Sequence, residues 1–264
     1  MPHTVSGGFR TYFETHGAGF PLLLINGLGG DHREWLYQIP AFEPHFKVVA
    51  FDNFGSGESD VPPGPYTTER MAGDAVRLLE TLNISRAHVL GVSLGGMIAQ
   101  EVALRHPDRV ERLVLVCTAS GGRLSIRPSE AAMAAFQYAG GDDTEADLRR
   151  IMPFLHTDAY IAEQAEEIEA FIRRRMESRM APAGYFAQMS AVMTHDASDR
   201  LGQIRAKTLV IAGETDRLVP PANSLLIAQR IPDARLVVLP DAPHRLHVEN
   251  AGAFNKEALE FLRA

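Results

Sequence analysis

Residues 88–99 have the sequence HVLGVSLGGMIA, in which a serine stands between a predicted strand and a predicted helix. A tight strand-to-helix turn forces Ser93 into an unfavourable backbone conformation, and small residues at Gly91 and Gly95 are needed there to avoid clashes. The hydroxyl then projects above the sheet, beside the free N–H groups and the positive dipole end of the helix. The pattern predicts Ser93 as a nucleophile. The alternative is a serine that only caps the helix.

Strands and helices alternate along most of the chain. Six short runs rich in Val, Leu and Ile do not alternate with polar residues, which indicates strands buried on both faces of a parallel sheet. Four further segments are predicted to be helices, and their alternation with the strands predicts an α/β fold. The predicted strands are residues 21–25, 47–51, 87–92, 112–116, 208–212 and 234–239, and the predicted helices are residues 69–82, 94–105, 222–230 and 251–262.

The alternation stops between about residues 121 and 198, a stretch rich in Ala, Met, Glu and Arg. We expect three or four helices there, inserted as a cap over the carboxyl edge of the sheet. The core domain would then comprise residues 1–120 and 199–264, and the cap residues 121–198. A separate helical domain is the alternative, but the strand pattern resumes at Leu209, which favours an insertion.

A serine hydroxyl needs an adjacent base, and at such an elbow the acid and then the histidine follow the serine along the chain, each after a strand. His244 lies in the loop after the last predicted strand, and we favour it over His247, three residues on. The loop after the preceding strand contains Asp216, which would hold the imidazole in the required tautomer. Glu214 competes but follows the strand too closely. Another arrangement places the acid near Cys117, but residues 117–122 contain no carboxylate.

The glycine-rich loop at residues 26–31, NGLGGD, follows the first predicted parallel strand. Glycines let the backbone approach a ligand closely, so we expect the N–H groups of Leu28 and Leu94 to bind the oxyanion. A dinucleotide loop is excluded because His32 and Asp60 stand where third glycines are required. The chain also lacks a phosphate-binding Gly-Lys-Ser/Thr motif and metal-ligand motifs. We therefore predict neither a cofactor nor a metal.

Composition limits the classes of partner. The 264 residues carry a net charge of −7, which argues against binding to nucleic acid. The single cysteine, Cys117, allows no internal disulfide and fits a reducing compartment. The start of the chain lacks the apolar region of a secretory signal, and no apolar run approaches the ~18 residues of a membrane span. These features predict a cytoplasmic protein that does not bind membranes. They are compatible with a homodimer.

Five segments together resemble the α/β-hydrolase superfamily over nearly the whole chain: NGLG at 26–29, DNFGSGES at 52–59, GVSLGG at 91–96, GETD at 213–216 and HRLHVE at 244–249. The resemblance implies a mostly parallel eight-stranded sheet with helices on both faces and an inserted helical cap. Residues 28–35, residues 64–66 and the short cap look most similar to 3-oxoadipate enol-lactonases and small carboxylesterases. Three positions depart from the usual pattern: Asn26 replaces His, Asn53 replaces Arg and Pro243 replaces Gly.

These residues predict a serine hydrolase that cleaves a small ester or lactone through an acyl-enzyme on Ser93. The expected substrate contacts are Gly27, Trp35, Phe136, Phe154 and Met189, although a purely structural role remains open for each apolar cap residue and for Trp35. Carbon–carbon bond hydrolysis and perhydrolysis use the same three catalytic residues and stay open. A non-catalytic ligand receptor on the same fold is disfavoured by the intact triad.

Overall fold

The computed structural model describes residues 3–6, 8–138, 145–178 and 180–264. Within these ranges eight strands form one sheet with the order β1-β2-β4-β3-β5-β6-β7-β8. β1 pairs antiparallel with β2, β2 pairs antiparallel with β4, and the remaining pairs are parallel. The strands are β1 His3–Ser6, β2 Phe9–His16, β3 Pro21–Ile25, β4 Lys47–Phe51, β5 Ala87–Val92, β6 Val110–Val116, β7 Lys207–Gly213 and β8 Arg235–Leu239.

Helices cover both faces of this sheet. In β3, Leu23 and Ile25 pack into one apolar cluster, whereas Leu22 and Leu24 pack into another. Successive side chains of a strand point to opposite faces, so a strand between two helical layers is apolar throughout. The helices are α1 Gln38–Phe42, α2 Thr68–Thr81, α3 Leu94–Arg105, α4 Glu130–Tyr138, α5 Glu145–Leu155, α6 Asp158–Glu163, α7 Ala165–Glu177, α8 Pro182–Thr194, α9 Ala222–Arg230, α10 Leu246–Glu249 and α11 Ala251–Arg263.

The predicted fold class is confirmed, and each of the six apolar runs lies on a strand, except that Ala234 precedes the start of β8 by one residue. The apolar runs did not indicate β1 or β2. β2 lies near the antiparallel edge of the sheet, and its burial varies from residue to residue, from the buried Tyr12 to exposed positions. A strand that is only partly covered carries polar residues along its length, so β2 lacks a continuous apolar run.

Helices α4–α8, which we call the cap, lie between β6 and β7. The described residues contain five helices there rather than the expected three or four, because α6 and α7 are separate elements divided at Gln164. The cap has an apolar cluster of its own, in which Leu148, Ile168 and Phe171 are buried. The division of the chain into core and cap domains at residues 121 and 198 stays a prediction. Among the described residues, the helices are too short or too polar to cross a bilayer.

Candidate active site

Ser93 occupies the turn between β5 and α3 with φ 56° and ψ −120°. A positive φ is a genuine strain for a residue with a side chain, and such strain is common at functional sites. The surrounding backbone leaves no room for larger neighbours. A Cβ at Gly91 would lie 2.2 Å from the carbonyl oxygen of Gly95, and a Cβ at Gly95 would lie 2.0 Å from that of Ile25. The two glycines therefore allow the elbow to form.

The elbow is also anchored to β6. The N–H of Ser93 donates to the carbonyl of Val116 at 2.9 Å, and the hydroxyl of Thr118 donates to the carbonyl of Ser93 at 2.7 Å. Both backbone groups of the serine are thus bound by the neighbouring strand and the loop after it. These bonds help the sheet to hold the strained conformation.

Asp216 and His244 lie after β7 and β8 and are both buried. Oδ2 of Asp216 lies 2.8 Å from Nδ1 of His244. Oδ1 of Asp216 accepts hydrogen bonds from the N–H groups of Leu218 and Val219, each at 2.8 Å. A carboxylate at Nδ1 places the ring proton there, so Nε2 is left as the acceptor that a general base requires. Gly213 permits this approach, since a Cβ there would meet backbone oxygens of the β8 loop.

The competing residues have other surroundings. His247 lies in α10, and its Nδ1 has no hydrogen-bond partner among the described residues. Burial, followed by the charge of Arg245, holds the pKa of His247 well below its ordinary value, so this ring is neutral. Glu214 is exposed, and its carboxylate accepts the N–H of Asp241 at 3.2 Å. The structure therefore pairs His244, and not His247, with Asp216.

Ser93 and His244 line the same cavity, which has a volume of about 90 Å³. Among the hydrogen bonds of the described residues there is none between the two side chains. Catalytic hydrogen bonds are often long in unliganded sites and shorten when substrate binds. The other lining residues are Asn26, Gly27, Leu28, Gly30, Glu34, Val92, Phe136, Ile151, Leu155, Phe171, Arg175, Leu218, Arg245 and His247.

The two predicted oxyanion donors flank the nucleophile. Leu94 is the first residue of α3, where the N–H has no partner within the helix. Leu28 lies in the loop after β3, next to Gly27, and a Cβ at Gly27 would lie 3.8 Å from Oγ of Ser93. No acceptor among the described residues takes the N–H of Leu28 or of Leu94. Two N–H groups near a nucleophilic serine are suited to binding an oxyanion.

Only part of the predicted substrate surface lies at this cavity. Gly27 and Phe136 line it, whereas Trp35, Phe154 and Met189 are absent from its lining. Trp35 ends a short 3₁₀ turn and is completely buried in the apolar cluster that contains Leu22 and Leu24. Phe154 lines a separate surface groove between α4 and α5, and Met189 packs against the cap cluster. The expected contacts at Trp35, Phe154 and Met189 are therefore corrected to structural packing.

The sequence reasoning missed a buried ion pair in the cavity wall. Nη2 of Arg245 lies 2.7 Å from Oε2 of Glu34, and the guanidinium also lies 4.3 Å from the ring centroid of Phe171 in α7. The backbone N–H of Arg245 donates to the carbonyl of Leu155 at 3.0 Å. The residue after His244 thus joins the core to two cap helices. Its position beside the histidine was a usable signal, but nothing in the sequence indicated Glu34.

Two departures from the family pattern are in direct contact. Nδ2 of Asn53 donates to the carbonyl of Asn26 at 3.1 Å, and Nδ2 of Asn26 donates to the carbonyl of Asp31 at 2.7 Å. The hydroxyl of Ser56 donates to the carbonyl of Gly30 at 3.0 Å. Side-chain amides thus fix the loop after β3 from the core side.

Two groups of described side chains have ligand atoms within 4.8 Å of one another: Cys117, Asp216 and His244, and Asp31, His32 and Asp52. In the first group the carboxylate already binds the imidazole. Burial, followed by the charge of Asp216, raises the pKa of Cys117 well above its ordinary value, so the thiol is neutral and a poor metal ligand. In the second group Asp31 binds the guanidinium of Arg33. We assign no metal to either group.

Comparison with known proteins identifies the family to which this fold belongs. A family model described as the alpha/beta hydrolase fold matches residues 21–251. A protein of Azorhizobium caulinodans named "Putative carbamate hydrolase RutD" is 32% identical over 261 residues, which is 99% of this chain and 98% of that protein. The solved enol-lactonase from Burkholderia xenovorans LB400 is 32% identical, with a TM-score of 0.90 and complete coverage of both chains. A solved hydrolase from Pseudomonas aeruginosa PA01 is 35% identical, with a TM-score of 0.88 and coverage of 100% of this chain and 98% of the other. The chain belongs to the alpha/beta hydrolase fold family and is a hydrolase.

Proposed function

We propose that this protein hydrolyses a small carboxylic ester or lactone through an acyl-enzyme on Ser93. One observation carries the proposal: a strained serine elbow lines the same cavity as a buried histidine whose Nδ1 lies 2.8 Å from a carboxylate. A serine that only capped α3 would require neither the histidine nor the acid. A receptor without catalysis would not require the strain at Ser93.

In the proposed reaction, Oγ of Ser93 attacks the carbonyl carbon while Nε2 of His244 takes the hydroxyl proton. The N–H groups of Leu28 and Leu94 bind the oxyanion of the tetrahedral intermediate, and a donor of this kind is typically worth about 3 kcal/mol in the transition state. Asp216 stabilises the imidazolium ion. His244 then protonates the leaving oxygen, and a water activated by the same imidazole hydrolyses the acyl-enzyme.

The cavity favours a compact acyl group. Its volume is only about 90 Å³. Most of its cap-side wall is apolar and is formed by Phe136, Ile151, Leu155 and Phe171. Such a wall accepts a short hydrocarbon chain or a small ring. The likeness to a solved enol-lactonase over the whole chain supports the lactone among these substrates.

Carbamate cleavage is a second candidate, supported by the name of a relative that is 32% identical over 99% of this chain. A carbamate offers a carbonyl to the same serine, but it can release an amine that His244 must protonate. Carbon–carbon bond hydrolysis and perhydrolysis remain predictions that differ in substrate and not in the three catalytic residues.

A substrate panel with matched variants tests the proposal. The control is Ser85→Ala, because Ser85 is exposed in the loop before β5. Wild type, Ser93→Ala and Ser85→Ala would each be assayed with p-nitrophenyl acetate, a γ-lactone and a small carbamate. We expect turnover by the wild type and by Ser85→Ala, and none above background by Ser93→Ala. A fluorophosphonate probe should label the same two active proteins. Turnover or labelling that survives in Ser93→Ala would disprove the role of this serine, and the fastest substrate class decides between ester, lactone and carbamate.

A further inference from the structure

Gly29, in the oxyanion loop, is held by the cap at both of its backbone polar groups. Its N–H donates to Oε1 of Gln188 in α8 at 2.9 Å, and Nη1 of Arg175 in α7 donates to its carbonyl. Gln188 is distant in sequence and belongs to a different layer of the fold. The loop that carries the proposed oxyanion donor Leu28 is therefore hydrogen-bonded to the cap, which interrupts the alternation of strands and helices.

The geometry of the loop indicates what these bonds do. The N–H of Gly30 donates to the carbonyl of Gly27 at 3.1 Å and closes a four-residue turn. φ is 67° at Gly29 but is not positive at Leu28, which is the pattern of a type II turn. Type I and type II turns differ in the orientation of the central peptide, which here joins Leu28 to Gly29. The N–H of this peptide is the one that donates to Oε1 of Gln188. Gln188 therefore stabilises the type II form.

The same turn orients the proposed oxyanion donor, the N–H of Leu28. The carbonyl of Gly27 and the N–H of Leu28 belong to one planar peptide and point in opposite directions. Because the carbonyl points into the turn toward Gly30, the N–H of Leu28 points out of it. A Cβ at Gly27 would lie 3.8 Å from Oγ of Ser93, so this peptide passes close to the nucleophile. Gly29, the residue that Gln188 anchors, is next to Leu28, so release of Gly29 would let the whole turn shift and would displace this peptide and its donor.

Gln188 is itself fixed in orientation. Its side chain is completely buried, and its Nε2 donates to the carbonyl of Phe54 at 2.8 Å. A carbonyl can only accept and an N–H can only donate, so the amide oxygen must face Gly29 and the amide nitrogen must face Phe54. The side chain satisfies both of its polar atoms only by joining two core loops.

We propose that Gln188 is a positioning residue of the oxyanion hole, which holds the turn so that the N–H of Leu28 faces the tetrahedral intermediate. The inference rests on the proposed serine-hydrolase function. It makes α8 a part of the catalytic geometry as well as a wall of the cap. An interaction that improves only the transition state raises kcat and leaves ground-state binding unchanged.

Gln188→Met keeps the volume of the side chain and removes both hydrogen bonds, and Gln188→Asn shortens it by one methylene so that it no longer reaches both loops. For p-nitrophenyl acetate we expect kcat to fall about 10- to 100-fold, less than the ~10²–10³ seen when a donor is removed outright, with KM changed less than about 3-fold. The inhibition constant of a small boronic acid, whose tetrahedral adduct places an oxygen in the hole, should rise by a similar factor. If Gln188→Met does not fold, Gln188→Asn carries the same expectation.

Gln100→Met is the matched control. Gln100 is also a completely buried glutamine, and its Nε2 donates to the carbonyl of Ala119 at 3.0 Å, far from Gly29 in the chain. It should lower Tm while kcat and boronate inhibition stay near wild type. Wild-type kcat and inhibition in the folded Gln188 variants, or equal losses in Gln100→Met, would overturn the positioning role. Ser93→Ala is assayed alongside: absence of serine-dependent turnover in the wild type would instead refute the proposed function.

Discussion

Replacing Asp216 with asparagine tests how His244 is oriented. In the carboxylate, Oδ1 accepts the N–H groups of Leu218 and Val219 at 2.8 Å, and Oδ2 lies 2.8 Å from Nδ1 of His244. The side-chain amide of asparagine has only one oxygen, and this oxygen stays hydrogen-bonded to the two backbone N–H groups. The amide NH₂ must then face Nδ1. Since Nδ1 now accepts a hydrogen bond, the ring proton moves to Nε2.

The expected loss of kcat follows from this change of tautomer. An imidazole protonated at Nε2 cannot take the proton of Ser93. The same exchange in the Ser-His-Asp triad of another enzyme fold lowers kcat about 10⁴-fold, which corresponds to about 5 kcal/mol of activation free energy. We expect kcat of Asp216→Asn to fall by about 10³- to 10⁴-fold. KM should change only a few-fold, because the lining of the cavity is the same.

The assay is steady-state hydrolysis of p-nitrophenyl acetate, with Ser93→Ala as the background. Glu214→Gln is the control, because this exposed carboxylate lies two residues earlier and accepts the N–H of Asp241 at 3.2 Å. It should retain kcat within about twofold, and Tm of both variants should be measured to confirm folding. The reasoning would be refuted if Asp216→Asn kept more than about a tenth of wild-type kcat, or if Glu214→Gln lost as much.

Two predictions concern stability. A Cβ at Gly95 would lie 2.0 Å from the carbonyl oxygen of Ile25, so Gly95→Ala should lower the free energy of unfolding in urea by about 1–3 kcal/mol. Gly252→Ala, where a Cβ meets no atom within 4 Å, should not lower it, and equal losses would contradict the steric argument. Burial lowers the pKa of His88 to about 4, below the value of about 6.5 in an unfolded chain. The unfolded chain therefore binds more protons between these values, and the stability contributed by the neutral ring is present above pH 6.5 and lost as pH falls toward 4. His88→Leu should reduce the loss of unfolding free energy between pH 7.5 and 4.5 by about 2–3 kcal/mol, and an unchanged loss would count against it.

The proximity of the three residues of the candidate site could be predicted because their signals are local and the sheet brings them together. Ser93, Asp216 and His244 each follow a parallel strand, and the carboxyl ends of parallel strands meet at one edge of a sheet. The apolar runs indicate these strands without any knowledge of their pairing. The choice between His244 and His247 follows from distance along the loop, and the hydrogen bond to Asp216 agrees with it.

The substrate contacts could not be predicted with the same success, because the cap is apolar on several faces. Phe136 lines the cavity, whereas Phe154 lines an outer groove and Met189 packs inside the cap. Helical periodicity identifies a buried side but not the layer that buries it. The ion pair of Glu34 with Arg245 joins two segments that are distant in sequence, and neither residue carries a signal for the other.

The sequence around Gln188 does carry a signal for a contact between distant elements. α8 has the sequence PAGYFAQMSAVMT, in which a glutamine stands among mostly apolar residues. A buried amide is stable only when its polar atoms find partners, so a lone glutamine on a buried face implies a hydrogen bond to another element. Here those partners are Gly29 and Phe54, two loops of the core. Because α8 holds this loop through Gln188 and contributes no side chain to the lining of the cavity, replacements of Gln188 should act mainly through kcat. Replacements in α4, which lines the cavity through Phe136, should act mainly through KM.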